Sequence, residues 1–107
     1  MNAKERHIVI VNFTTNESSQ AQAIQEVGDY VEGFLSHQSG FIASQLHASL
    51  DGLSLVHYAV WMSEKNFMAA AERARSHPDL SMLMAYNPIA SGYKIRRCFT
   101  SSHHENS

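Results

Sequence analysis

His57 and Trp61 are the residues of this 107-residue chain whose types and spacing first suggest chemistry. They lie in the stretch LDGLSLVHYAVW, residues 50–61, which is apolar at nearly every position after its Asp-Gly pair. An imidazole with an ordinary pKa of about 6.5 accepts a proton near neutral pH and so suits a general base. An indole walls or stacks on a flat ring. On an extended strand the four-residue separation puts both side chains on one face, roughly 13 Å apart. If Asp51-Gly52 closes the two-residue type I′ hairpin that this pair prefers, His57 falls opposite Leu46, Ala59 opposite Ser44, and Trp61 opposite Ile42. The floor between the two large side chains is then Ala59 and Ser44, both small. The pattern predicts a slot about as wide as a flat ring system. It equally fits plain side-chain packing, with a large helix residue such as Phe34 or Met68 filling the gap.

The elements that must hold these residues follow from periodicity. Residues 7–14 (HIVIVNFT) are short and β-branched, which predicts a strand. Asn16 to Ser19 supply capping groups, after which Ile24, Val27, Gly28, Val31, Phe34 and Leu35 recur at helical spacing until Gly40. Strands are expected over 41–50 and 53–61. Ser63 can cap a second helix carrying Phe67, Ala70, Ala71 and Ala74 on one side and stopped by Pro78. Leu80, Leu83 and Met84 suggest one more short helical turn, and Gly92 leads into a last strand over 93–100. Strand, helix, strand, strand, helix, strand is the order of a ferredoxin-like α+β fold, an antiparallel βαββαβ sheet with both helices on one face. Residues 1–100 are expected to form a single domain, with 101–107 a disordered polar tail.

Both faces of the strands are apolar. Val9, Val11 and Phe13 alternate with Ile8 and Ile10, and Leu55, Ala59 and Trp61 alternate with Val56, Tyr58 and Val60. Helices cover one face only, and an apolar sheet face does not stay bare in water. The simplest cover is a second copy, so a homodimer through Val56, Tyr58 and Val60 is expected.

Other function classes are disfavoured by composition. A net charge of −2, with only Arg96-Arg97 as a basic pair, offers nucleic acid no footprint. One cysteine, Cys98, forms no internal disulfide; it fits a reducing cytoplasm and reads as a packed thiol. Four apolar residues before Asn12 are too few for a signal peptide or a membrane span, so a cytoplasmic protein is expected. The seven histidines show no metal-ligand spacing, and His103-His104 lies in the tail. His77 is expected to cap the C-terminus of the second helix, where a cation complements the dipole.

Residues 41–78, FIASQLHASLDGLSLVHYAVWMSEKNFMAAAERARSHP, resemble the central segment of the antibiotic biosynthesis monooxygenase domain family. The shared features are a Gly-Phe, a strand ending in Ser-x-Asp-Gly, a Tyr-x-x-Trp, a capped helix and a closing His-Pro. The resemblance implies a dimeric ferredoxin-like α/β barrel. It also implies an oxygenase that inserts dioxygen into electron-rich phenols, hydroquinones or anthrones without metal or flavin. His57 stands where the aromatic-polyketide oxygenases usually carry Asn, and Phe67 where they often carry Tyr; Trp61 is retained. Haem-degrading relatives place a histidine where this chain has Ala71, so haem is not expected.

The expected function is therefore a cofactor-independent monooxygenase acting on a small planar phenolic, quinol or anthrone-like substrate. His57 would serve as base and Trp61 as ring wall, with Ser44, Ala59, Phe67, Leu46 and Ile42 completing the substrate site. No metal, haem or flavin is expected. The alternative is a non-catalytic dimeric module of the same fold that binds a small ligand or serves as structure.

Overall fold

The computed structural model describes residues 5–102. Its elements run β1 (His7–Thr14), α1 (Gln20–Gly33), a single 3-10 turn (Leu35–His37), β2 (Phe41–Ala48), β3 (Ser54–Trp61), α2 (Glu64–Ala74), α3 (Leu80–Met84) and β4 (Ile89–Lys94). The sheet order is β2-β3-β1-β4 with every neighbouring pair antiparallel, the ferredoxin-like arrangement. All three helices lie over one face. Ala23 and Val27 of α1 and Leu83 of α3 cluster with Phe13 and Leu55, while Ala70 of α2 joins Val9, Ala59 and Trp61. Burial along β3 alternates strictly, with Leu55, His57, Ala59 and Trp61 buried and the residues between them half-buried. Ala23 takes the inward position of α1, and Ile24, expected in the core, is turned outward.

Local chemistry fixes the joints. Asn16 Oδ1 accepts from the N–H groups of Ser18 and Ser19 ahead of α1. Gln20 Nε2 then donates to the carbonyls of Ser49 and Ser54, tying that helix end to the β2–β3 hairpin. Ser63 Oγ accepts from Asn66 N–H at 3.1 Å, the expected cap of α2. Gly40, at φ +88°, has no room for a Cβ because the Asn66 side chain of that same cap lies against it.

The hairpin keeps the expected register over most of its length: Leu46 pairs with His57 and Ser44 with Ala59. A shift between Phe41 and Ala43 then places Phe41, rather than Ile42, opposite Trp61. The turn is not type I′, which needs positive φ at both central residues. Gly52 has it at +82° and Asp51 does not. Instead Asp51 Oδ1 accepts from Leu53 N–H, and Leu50 and Leu53 stand in solvent.

The last strand differs more from expectation. It occupies Ile89–Lys94, and residues 95–102 form no helix or strand. β1 begins at His7, which pairs with Lys94, and the pairing of the two strands ends there among the described residues. Gly92 sits inside the strand because the His7 ring lies across it; a Cβ there would be 2.9 Å from His7 Cε1. Cys98 in this segment is exposed rather than packed. The expected tail overlaps the described residues only at Ser101 and Ser102; His103-His104 and the rest lie outside them.

Candidate active site

A cavity of about 200 Å³ lies between the sheet and the helix layer. Val11 and Phe13 of β1 and His57 of β3 contribute from the sheet. Val27, Tyr30 and Val31 of α1, then Leu35, line one side, and Phe67, Ala71 and Ala74 of α2 line another. Leu80, Leu83 and Met84 of α3, with Pro88, close the outer wall. Met84 is 53% exposed although it lines the cavity, which puts it at the mouth. The outer wall is held from behind. Tyr86 Oη donates to Glu26 Oε1 of α1 at 2.6 Å, and the Tyr86 carbonyl accepts from Thr14 N–H at 2.7 Å. The carboxylate that receives its hydrogen bond, with a contribution from burial, pushes the Tyr86 phenol up to about 12.

His57 is the polar group of the floor. It is 4% exposed, and its Nε2 has no hydrogen-bond partner. Its cross-strand neighbours are Val11 and Leu46, so nothing beside it can donate or accept through a side chain. Burial of this kind disfavours the charged form and lowers the imidazole pKa to about 4. At neutral pH the side chain is an uncharged ring with an unmet hydrogen bond. Tyr30 is the polar group of the helix layer; its hydroxyl makes no hydrogen bond among the described residues, and burial raises its pKa.

Of the residues expected to form the slot, the cavity brings together His57 and Phe67. Trp61 and Ala59 lie elsewhere on the same face, in the cluster with Val9 and Ala70. There the indole meets Phe41 edge-on at 5.3 Å and Phe67 at 5.7 Å between ring centroids. Phe67 and Leu35 pack against this cluster, which contains the Ala59 floor of the foreseen slot. The open space lies instead toward Phe13 and α3. Phe34 and Met68, the side chains anticipated as fillers, are half-buried beside Tyr30 and exposed, respectively. Leu46 packs on the Phe13–Leu55 cluster, Ser44 is half-buried on β2, and Ile42 is exposed at the register shift.

Sequence reasoning missed Tyr30 and the wall from α3. The signal for Tyr30 was present, since it follows Val27 by one helical turn on the inward stripe. His77 also differs from expectation. Its Nδ1 accepts from Asp79 N–H, and its ring meets Tyr30 and Phe34, so it braces α1 as well as following the end of α2. Among the described residues no three His, Cys, Asp or Glu side chains gather in a way that would hold a metal ion. None of the helices described is long and apolar enough to cross a membrane.

Known proteins share this framework. The antibiotic biosynthesis monooxygenase family model matches residues 6–79, from the start of the sheet through α2. The tetracenomycin-F1 monooxygenase of Streptomyces glaucescens is 38% identical over 66 residues, 62% of this chain and 59% of that protein, so the match spans less than two thirds of that relative. Among solved structures, the monooxygenase from the ActVA-Orf6 gene of Streptomyces coelicolor, in complex with nanaomycin D, superposes with a TM-score of 0.73. It is 26% identical, with 94% of this chain and 96% of that one covered. SnoaB, a cofactor-independent oxygenase from Streptomyces nogalater, superposes at 0.78 with 20% identity over 91% and 99% of the two chains, a likeness of fold. The family match includes β1, β3 and α2, which carry Val11, Phe13, His57, Phe67, Ala71 and Ala74 of the cavity, and with that span the chain belongs to the antibiotic biosynthesis monooxygenase family.

Proposed function

We propose that the protein is a monooxygenase that uses dioxygen to oxidise a small planar phenol, quinol or anthrone-like compound in the cavity over His57. The observation that carries this reading is His57, a buried imidazole whose Nε2 has no partner, in the lining of a chamber whose other polar side chain is Tyr30. A polar atom left unpaired in a core costs stability, and such groups persist where a ligand completes them. A neutral imidazole nitrogen accepts a hydrogen bond from a phenolic hydroxyl. The relatives' names, two monooxygenases and a cofactor-independent oxygenase, agree with the reaction class.

The depressed basicity of His57 shapes the chemistry. An imidazole with a pKa of about 4 does not take the proton of a resting phenol. Loss of one electron from the phenol to dioxygen makes that hydroxyl strongly acidic, however, and its proton then passes to Nε2 as the electron leaves. The resulting phenoxyl radical and superoxide combine at a ring carbon. With the imidazolium proton returned, the O–O bond breaks as that carbon loses its hydrogen. The sum is phenol plus dioxygen giving quinone plus water: one oxygen atom becomes a carbonyl, the other leaves as water, and the substrate supplies all four electrons. Exclusion of water by the apolar walls favours the uncharged reactants and protects the radical pair.

The second part of the proposal is a two-fold dimer through the open sheet face. Val56, Tyr58 and Val60 are half-buried there in the single chain, and register puts the exposed Ile89 and Tyr93 on the same side. Oxygen uptake in a closed cell, with quinols and anthrones added to the metal-stripped protein, tests the activity. Stoichiometric uptake above the uncatalysed rate supports it. Saturable binding without uptake would favour the ligand-binding module instead.

A further inference from the structure

We propose that the cavity accepts a flat aromatic molecule of one or two fused rings bearing oxygen at two positions, one held at His57 and the other by the Tyr30 hydroxyl. This rests on the reading of the cavity as the substrate site and goes beyond it in naming a second contact and a size limit. Tyr30 and His57 come from opposite layers, α1 and the sheet, and they are the polar side chains of a lining otherwise built from aliphatic and phenyl groups. Neither polar atom is paired within the fold. His57 Nε2 is buried without a partner, and the hydroxyl of half-buried Tyr30 makes no hydrogen bond among the described residues. The Tyr30 ring packs against Phe34 at 5.4 Å and His77 at 5.1 Å, which orients it and leaves the hydroxyl free to meet a ligand. A phenylalanine would serve the fold as well. Size follows from volume: an apolar cavity of about 150 Å³ holds a single benzene ring, and the 200 Å³ here covers one more fused ring, leaving a third outside at the Met84 mouth.

Calorimetric titration under argon of the full chain with 2-naphthol, 2,6-dihydroxynaphthalene and 2,6-dihydroxyanthracene separates the possibilities, because it needs no turnover. The naphthalenediol is expected to bind about three- to tenfold tighter than the naphthol, the net worth of one added hydrogen bond. Tyr30→Phe should erase that margin while leaving naphthol affinity and the melting temperature unchanged or higher. The anthracenediol should bind more weakly than the naphthalenediol. A margin that survives Tyr30→Phe, an equal loss for naphthol and diol, or tighter binding of the three-ring diol would overturn the inference while the substrate-site reading stands. Failure of all three compounds to bind would remove that reading, and this inference with it.

Discussion

His57 leaves a thermodynamic signature that can be read without knowing the substrate. Above pH 6.5 the imidazole is neutral in both the folded and the unfolded chain. Between pH 6.5 and about 4 the unfolded chain takes up a proton that the buried ring refuses, so stability falls as pH falls through this window. The loss totals about 3 kcal/mol, and below pH 4 the group adds nothing further. His57→Leu, close in volume, should abolish this acid slope and raise stability at pH 7 by about 1–2 kcal/mol, because it removes an unpaired buried nitrogen. Urea unfolding across pH 4–8 measures both. A variant less stable at pH 7, or with its acid slope intact, would make His57 an ordinary core histidine. The residue was legible in the sequence because it interrupts an apolar run. Its low pKa was not, since desolvation depends on Val11, Leu46 and the helix layer, brought in from other parts of the chain.

Within α2, neighbouring alanines have opposite surroundings. Ala70 is buried against Trp61 and Val9, while Ala71 faces the cavity. Ala70→Leu should overpack the Trp61 cluster and cost about 1–3 kcal/mol. Ala71→Leu should fill empty volume, leave the melting temperature level or higher, and abolish ligand binding. Thermal melts and one titration per variant check the pair, and equal destabilisation by both would mean that the cavity closes in solution. Patterning located α2, its cap at Ser63 and its inward alanines, because those follow from one helix alone. It misplaced the slot because the outcome hinged on Phe67, whose ring lies between His7 and Trp61. It misplaced β4 because strand pairing against His7–Asn12, rather than local β-propensity, selects Ile89–Lys94.

At the scale of the molecule, the two faces of one sheet divide the work: one carries the helices and the cavity, and the other carries the proposed dimer seam. Ile8 is already buried within the single chain, and Ile10, Val56, Tyr58 and Val60 are half-buried. Sedimentation should show a dimer at micromolar concentration, and Val60→Asp should yield a monomer, since an unpaired charge in a closed seam costs several kcal/mol. A wild-type monomer would leave the open face without its proposed cover. The alternation that exposes this face was readable from β1 and β3 directly, as the period of two admits no other assignment. The central claim, that a neutral and unpaired His57 serves oxidation in the cavity, is tested most directly by the oxygen electrode. Wild-type and His57→Leu proteins, both shown to be folded, are compared on the quinol or anthrone that gives the greatest uptake. The account predicts cofactor-free consumption of one dioxygen per substrate and a rate reduced about 10²-fold or more in the variant; equal rates in the two proteins, or no uptake above the uncatalysed reaction on any substrate, would contradict it.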